Sequence, residues 1–227
     1  MNYMCEMHLH SSEISICGKK TREEMLNIAK KNGYDGVFFT DHFWRGNCKI
    51  KNLSWQECAE KYKEEHEKAK EYGKKIGIDV FFGFELCEKT ADFLIYGIDA
   101  DFLIAHSEIK EMTTIDVLDM FRNEKGLVIQ AHPFREASYI DEIILYPLHV
   151  DGVEILNTHN RTDRADELAV QYAQAYGFLT TCGSDYHADR EHPLCAMTFP
   201  RRPRSEKDVI DMIRNREYGM TQFFMAR

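Results

Sequence analysis

Side chains that can bind metal ions accompany a series of short apolar runs in this sequence. His8 and His10 follow the first run with one residue between them, so in an extended strand their imidazoles project in the same direction. Asp41 and His42 follow the second run. Similar side chains stand at the ends of the later runs. Asp92 begins its run, and the others end or follow theirs: Glu85, His132, Glu154, Asn157, Asp185 and His187. Imidazole and carboxylate groups are the expected ligands of zinc, manganese and iron. A structural zinc site needs only four ligands, usually with cysteines, so this larger set predicts a multinuclear catalytic metal site.

Each motif taken alone has a simpler explanation. An aspartate after a strand often caps the next helix, as Asp41 could, and a histidine before proline, such as His132, can be a packed core residue. Asp185 and His187 could belong to a polar turn. Chance does not readily place all of these residues at strand ends, and the whole set therefore favours the metal site.

The apolar runs alternate with helical patterns along the whole chain. The sequence predicts strands over 3–7, 36–40, 80–84, 93–98, 127–130, 152–156, 178–181 and 223–225. It predicts helices over 21–31, 54–75, 114–124, 164–176 and 205–216, the first two opened by capping boxes. This alternation indicates an α/β fold, and we expect one domain over residues 1–227. Continuous apolar runs are typical of a parallel sheet buried on both faces, whose strands direct their carboxyl ends to one face. His66, in the charged second helix, is predicted to lie at the surface.

Composition limits the possible partners. The chain of 227 residues carries a net charge of −9, which disfavours an extended nucleic-acid surface. We find no signal peptide and no run approaching the ~20 apolar residues of a membrane span. Seven cysteines without a closely spaced pair indicate reduced thiols, and we expect a cytoplasmic protein. The sequence does not predict an oligomeric state.

Several of these motifs together resemble a known family. His8-Leu9-His10-Ser11, Thr40-Asp41-His42, Glu85, Ala131-His132-Pro133 and Gly183-Ser184-Asp185-Tyr186-His187 occur in the order of the motifs of the PHP (polymerase and histidinol phosphatase) family. The resemblance extends from residue 6 to about residue 200. It implies a distorted (β/α)7 barrel of the TIM type. It also implies a centre of two or three divalent metal ions, whether zinc, manganese or iron, that hydrolyses phosphate esters.

The resemblance also implies how the ligands divide among the metals. The first metal would be bound by His8, His10, Glu85 and Asp185. The second would be bound by His42, His187 and a residue of the loop after the first strand, where Glu13 is the candidate. The third would be bound by Glu85, which bridges, by His132, and by Asp92 at a position where many members have histidine.

The expected reaction is hydrolysis of a phosphomonoester or a small phosphodiester by a hydroxide that bridges the metals. Glu85, Asp185 and His187 would be the catalytic residues, with Asp41 orienting ligand imidazoles. His159 and Arg161 are candidates to contact the substrate phosphate. Loops over 43–53 and 139–149 are candidates to line the pocket, and Arg45 with two nearby tryptophans suggests a nucleotide, since these residues could stack a base and hold a phosphate. A sugar phosphate is the other substrate considered.

Three alternatives stay open. A barrel amidohydrolase also begins with a His-x-His pair, although that family usually relies on a bridging lysine that is not found at the position of Glu85. A histidinol phosphatase lies within the resembled family. A metal-binding regulatory module without catalysis would use the same ligands.

Overall fold

A computed structural model of the protein describes residues 2–88, 91–138 and 140–225, and its backbone is organised around one curved sheet. The strands are β1 (Tyr3–Glu6), β2 (Gly36–Phe39), β3 (His42–Phe43), β4 (Asp79–Cys87), β5 (Asp92–Tyr96), β6 (Leu127–Gln130), β7 (Gly152–Asn157), β8 (Leu179–Gly183), β9 (Leu194–Phe199) and β10 (Gly219–Phe223). The helices are α1 (Arg22–Lys31), α2 (Trp55–Ile76), α3 (Ala100–Ala105), α4 (Thr114–Asn123), α5 (Asp163–Tyr176) and α6 (Glu206–Arg214), with a 3₁₀ turn at Ser107–Glu111. The α/β class predicted from the sequence is confirmed.

The first two predicted helices begin as the sequence indicates. Thr21 and Glu24 form a capping box before α1, and Ser54 and Glu57 form another before α2. Each box satisfies two backbone amides that the first turn of a helix leaves without partners. Helix α2 ends at Gly77, whose φ of 73° is left-handed. The helix boundaries are therefore set locally, by residues within one turn of each end.

Within the described residues, the sheet runs in the order β10-β9-β1-β2-β4-β5-β6-β7-β8, with β3 beside β4. Strands β1, β2 and β4 are parallel, as are β6, β7 and β8. The sheet curls until the chain after β1 meets the chain after β8. There Leu9 bridges to Tyr186, and the His10 amide donates to the Tyr186 carbonyl at 3.3 Å. The result is a nearly closed barrel, as predicted.

The expectation of a parallel sheet is wrong for β5, which is antiparallel to both of its neighbours. Its reversed direction pairs Asp92 with Cys87 at the carboxyl end of β4. A residue that begins β5 therefore lies on the same face as residues that follow the other strands. Strands β3 and β9 and helix α3 were not predicted, and the last strand ends at Phe223 instead of beginning there.

The apolar core lies inside the barrel and between the barrel and its helices. Tyr96 crosses the interior and donates from its hydroxyl to the Met7 carbonyl at 2.8 Å. Outside, α2 packs its apolar stripe against β4. The prediction that His66 lies at the surface is wrong: it is 6% exposed, and its ring meets the Phe82 ring edge-on at 5.1 Å. Burial lowers the pKa of His66 to about 3, so the ring is neutral in the core.

Two further observations concern the whole of the described chain. All seven cysteines are free thiols, as expected for reduced cysteines. Among residues 2–88, 91–138 and 140–225, no helix is long and apolar enough to cross a membrane.

Candidate metal centre

Three predicted ligands from opposite ends of the chain converge at the mouth of the barrel. His8 and His10 follow β1, and their Nε2 atoms lie 3.1 Å apart. Asp185 follows β8, and its Oδ1 lies 3.2 Å from His10 Nε2 and 3.5 Å from His8 Nε2. Two nitrogens bound to one tetrahedral zinc ion stand about 3.3 Å apart, from the known Zn–N bond length. The three ligand atoms are therefore spaced as a shared metal ion would space them.

Glu85, in β4, lies at the centre of the cluster and is 1% exposed. Its Oε1 is 3.4 Å from both His8 Nε2 and His132 Nε2. Its Oε2 is 2.8 Å from His42 Nδ1. Among the described residues, neither carboxylate oxygen has a hydrogen-bond partner of good geometry. A buried carboxylate in that condition is costly unless a cation satisfies it, and the donor set around Glu85 fits bridging metal ions.

The structure does not bring Glu13 to this cluster. The Glu13 carboxylate accepts the backbone amide of Arg22 at 3.0 and 3.2 Å. Arg22 is the first residue of α1, where amides lack helical partners and attract negative charge. Cys17 lies beside the predicted second-metal ligands instead, with its Sγ 3.2 Å from His42 Nε2. Burial opposes the thiolate, but hydrogen bonds from His187 and His42 outweigh it and lower the pKa of Cys17.

The remaining predicted ligands lie on either side of this centre. His187 Nε2 is 3.0 Å from Asp185 Oδ1, and its ring is 4.7 Å from that of His10. His132 Nε2 is 3.9 Å from Asp92 Oδ2. Asp92 reaches the cluster through the reversal of β5, not by following a strand.

A carboxylate behind His8 fixes the orientation of that ring. His8 Nδ1 lies 3.0 Å from Glu154 Oε1, so His8 donates there and its Nε2 is the atom that faces the cluster. Glu154 Oε2 accepts the His132 amide at 3.0 Å and the Asn157 side-chain amide at 2.8 Å. One buried carboxylate therefore positions two of the predicted ligands.

His10 is oriented through a serine. Ser15 Oγ donates its one hydrogen to Asp41 Oδ1 at 2.7 Å, so towards His10 Nδ1, at 3.3 Å, it acts as an acceptor. The His10 Nε2 lone pair is thereby directed at the cluster. Asp41 also accepts from Arg22 Nη2 at 2.8 Å, and this buried ion pair anchors the network. Asp41 therefore reaches the His10 ring through Ser15, and an orienting role for Asp41 would operate by that route.

The backbone is unusual at two of the ligands. His132 has a φ of 28° and Asp185 a φ of 48°, in the left-handed region that non-glycine residues rarely occupy. Such conformations cost on the order of 1–3 kcal/mol each and concentrate at functional sites. Next to them, Gly183 allows a close approach, because a β-carbon there would lie 2.2 Å from His8 Cβ. The local backbone therefore accommodates the imidazoles at a cost to its own stability.

The pKa values of the histidines are displaced in opposite directions. Burial disfavours a charge on His8, but nearby carboxylates, Asp185 above all, outweigh it and raise its pKa well above the usual value. Burial and the neighbouring His42 lower the pKa of His10 to about 3. For His187, burial acts downward, but Asp185 raises the pKa to about 10. Protons are thus held on specific rings of the cluster.

The central carboxylates are ionised in the same cluster. Burial opposes their charge, yet His42 and His8 hold the pKa of Glu85 well below its usual value. His8 and Arg135 do the same for Asp185. Because these carboxylates are matched by protonated imidazoles, a metal ion that binds here replaces protons.

An open cavity of about 430 Å³ lies against the cluster. Besides the predicted ligands, its described walls include Arg135, which the sequence analysis did not single out. Arg135 Nη2 donates to Asp185 Oδ2 at 2.7 Å and to Asn157 Oδ1 at 2.9 Å. Its position three residues after His132 was the available signal, since the loop after a strand-end ligand surrounds the same face.

The predicted substrate-binding residues are placed differently from one another. The His159 ring lies 4.7 Å from the His187 ring, at the edge of the cluster. Arg161 is exposed and outside the cavity walls. Arg45 is also outside them, with Nη1 on Glu88 at 2.9 Å and Nη2 on the Lys110 carbonyl at 3.2 Å.

The two tryptophans near Arg45 do not form a stacking platform for a base. Trp55 is buried in the core and donates to the Leu103 carbonyl, and Trp44 packs against it. Neither lines the cavity. Of the second loop expected at the pocket, Tyr139 lies outside the described residues, and Ile140 and Ile143 line the wall. The part of this loop that lines the cavity is therefore apolar, and neither tryptophan offers a stacking surface there.

Comparisons with known proteins agree with this architecture. Residues 6–209 match the family model of the PHP domain. An uncharacterized protein of Methanocaldococcus jannaschii is 22% identical over 147 residues, which are 64% of this chain and 71% of that protein. The matched region contains every candidate ligand of the cluster, from His8 to His187.

Solved structures share the fold at low sequence identity. A two-domain protein of Bacteroides vulgatus, which contains a predicted PHP-like metal-dependent phosphoesterase, aligns with a TM-score of 0.71 and 17% identity over 99% of this chain. This chain spans 65% of that protein's length. An amidohydrolase of Chromobacterium violaceum, with bound sulfate and no metal, aligns with a TM-score of 0.56 and 12% identity over 98% of each chain.

Proposed function

This chain belongs to the PHP domain family, and we propose that it is a hydrolase of small phosphate esters that uses two or three divalent metal ions. The observation that carries the proposal is the buried Glu85 carboxylate, which is surrounded by imidazoles, lacks a hydrogen bond of good geometry among the described residues, and opens on a cavity that also contains Arg135. The predicted phosphoesterase in the Bacteroides vulgatus protein, which has the same fold, supports it.

The charge of the site supports metal binding before substrate binding. Glu85, Asp92 and Asp185 all face the cavity, and without cations they would repel a phosphate. When bound, the metal ions would supply an activated water and neutralise the phosphoryl oxygens during attack. His8, His10, His42, His132, His187, Glu85, Asp92 and Asp185 would hold them. Specificity for phosphate must then come from groups that are not ligands.

Among the described residues, Arg135 is the one best placed to recognise the phosphate. Its guanidinium is held by Asp185 and Asn157, so its direction is fixed before the substrate arrives. A guanidinium forms paired, charge-assisted hydrogen bonds with phosphate oxygens. Arg135 would therefore bind an oxygen that does not take part in bond breaking and would orient the ester for attack.

His159 is suited to handle a proton at the leaving group. Its Nδ1 is buried and has no partner among the described residues. Burial lowers the pKa of His159 to about 4, so the ring is neutral near pH 7 and both accepts and donates. As a relay, the ring would accept a proton from a water at one nitrogen while it donates the proton of its other nitrogen towards the departing alkoxide.

The size and walls of the cavity favour a small monoester. A volume of about 430 Å³ is near the lower end of small-molecule sites. The apolar lining residues of the cavity include Ala91, Pro133, Ile140 and Ile143. The net charge of −9 disfavours a polynucleotide. We therefore favour a compact phosphomonoester with an apolar part over a nucleotide held by aromatic stacking.

The amidohydrolase of Chromobacterium violaceum bears on this proposal in two ways. Its bound sulfate, a tetrahedral oxyanion like phosphate, is compatible with anion binding by this fold. Amide hydrolysis is the rival reaction, since that protein is an amidohydrolase. Barrel amidohydrolases usually rely on a bridging lysine, and no lysine lines the described cavity of this chain. Amide substrates therefore belong in the same test.

The test is a hydrolysis screen with the metal-loaded protein, comparing the parent chain with Arg135→Ala and Arg161→Ala. The substrates are a chromogenic phosphomonoester, a chromogenic phosphodiester, sugar phosphates and amides. We expect chelator-sensitive phosphate release that Arg135→Ala lowers about 100-fold in kcat/KM, the scale of losing one oxyanion donor. The surface variant Arg161→Ala should match the parent. Amide hydrolysis without phosphate release, or an unchanged Arg135→Ala, would refute the proposal.

A further inference from the structure

Cys17 occupies the place at which the second metal position needs another ligand. Cys17 Sγ, His10 and His187 offer ligand atoms that all lie within 4.8 Å of one another. His42 Nε2 lies 3.2 Å from the same sulfur. Glu13, the carboxylate of this loop, is engaged by α1. The loop therefore directs a sulfur, and no carboxylate, into the cluster.

The backbone holds Cys17 in this position from both sides. The Ile16 amide donates to the Asn47 carbonyl at 2.8 Å, and the Lys19 amide donates to the His187 carbonyl at 2.9 Å. Gly18 lets the loop close tightly, because a β-carbon there would lie 2.4 Å from the Ser11 carbonyl. The thiol is thus anchored to the loop that carries His187.

The spacing agrees with shared coordination. From known zinc–sulfur and zinc–nitrogen bond lengths, sulfur and nitrogen on one tetrahedral ion stand about 3.5 Å apart. The Cys17–His42 separation of 3.2 Å is close to that value. We propose that Cys17 is a thiolate ligand of the metal ion bound by His42 and His187, and that this position selects zinc over manganese.

The inference rests on the metal centre of the proposed function and assigns one of its positions a chemistry different from the others. Thiolates favour zinc and other thiophilic ions, whereas carboxylates and water suit manganese. The positions around His8 and His132 offer only imidazole and carboxylate groups among the described residues. One position of the centre would therefore discriminate between metals more strongly than the rest.

Cys87 is the competing sulfur and provides the internal control. Its Sγ lies 2.8 Å from His42 Nδ1, on the other side of the ring. Because the two ring nitrogens point in different directions, a metal on Nε2 meets Cys17 and a metal on Nδ1 meets Cys87. Serine at each position distinguishes the two arrangements.

The experiment loads cobalt(II) into the parent protein, Cys17→Ser, Cys87→Ser and Cys58→Ser and records the near-ultraviolet thiolate-to-cobalt charge-transfer band. Cys58 is a buried thiol that donates to the Ile50 carbonyl. We expect the band in every protein except Cys17→Ser. In zinc–manganese competition, Cys17→Ser should lose about 10-fold or more of the preference for zinc, the scale of a lost ligand-tuning contact.

X-ray absorption of the zinc-loaded parent needs no variant and should show one sulfur neighbour at about 2.3 Å. Bound cobalt without a charge-transfer band, or a band lost in Cys87→Ser and kept in Cys17→Ser, would overturn the inference and leave the proposed hydrolase intact. A folded protein that binds no metal at all would overturn both.

Discussion

Replacing Glu154 by glutamine should weaken metal binding, although Glu154 contacts no metal in the proposed centre. The carboxylate accepts His8 Nδ1–H on one oxygen and the His132 and Asn157 amides on the other. Glutamine has the same shape but only one acceptor oxygen. If that oxygen keeps the two amide donors, the new NH₂ group faces His8. His8 must then accept at Nδ1 and carry its proton on Nε2, the atom that faces the cluster.

The size of the effect follows from the lost tautomer. Loss of a partner that orients a ligand typically lowers metal affinity 10- to 100-fold. Glu154→Gln turns the ligand atom itself into a donor, so we expect a loss near 100-fold, or about 2.8 kcal/mol. The isosteric side chain keeps the buried volume, which limits the change in fold.

The assay is a zinc titration against a chromophoric chelator, with thermal unfolding of the metal-free protein to verify the fold. Glu13→Gln is the matched control, because Glu13 binds a helix amide outside the cluster, and its zinc affinity should equal that of the parent. A Glu154→Gln affinity within twofold of the parent would show that the tautomer argument is wrong. Equal weakening in both variants would show the same.

Two other predictions concern protons and packing. Because Asp185 raises the pKa of His187 to about 10 against the effect of burial, the metal-free ring is protonated near neutral pH. Zinc affinity should therefore rise with pH up to about 10. Calorimetry of zinc binding in buffers of different ionisation enthalpy should detect the release of protons. Zinc binding without proton release would contradict the prediction. Gly183→Ala would place a β-carbon 2.2 Å from His8 Cβ. We therefore expect the free energy of unfolding, measured with denaturant, to fall by about 1–3 kcal/mol, and zinc binding to weaken. Parent-like values for both would exclude the clash.

Local sequence signals predicted every described helix except α3, and most strands, because the causes of these elements lie within a few residues. The capping boxes at Thr21 and Ser54 are examples, since each is completed three residues later. The direction of β5 has no such local cause. Its pairing with β4 and β6 is decided by contacts across the sheet, and an apolar run reads the same in either direction.

In the candidate site as well, local patterns predicted some residues, whereas distant contacts decide the placement of others. His8, His10, His42, Glu85, His132, Asp185 and His187 were predicted because strand ends place them together, and the structure brings them into one cluster. Glu13 and Cys17 share one loop, and the choice between them depends on the helix that binds Glu13 and on the anchoring of the loop at Asn47. Arg135 was missed because a guanidinium in a loop is ordinarily a surface group.

The seam between the chain after β1 and the chain after β8 has a further consequence for folding. At this seam, Leu9 after β1 forms a β-bridge with Tyr186 after β8. The candidate ligands on the two sides of the seam belong to the first and last parts of the barrel. Joining such distant segments has a cost in loop-closure entropy, so we expect this junction to form late in folding. A cation shared by His8 and Asp185 would act as a removable cross-link between the two ends of the chain. It would slow unfolding without speeding folding, so metal supply would govern how long the barrel persists and not how quickly it forms.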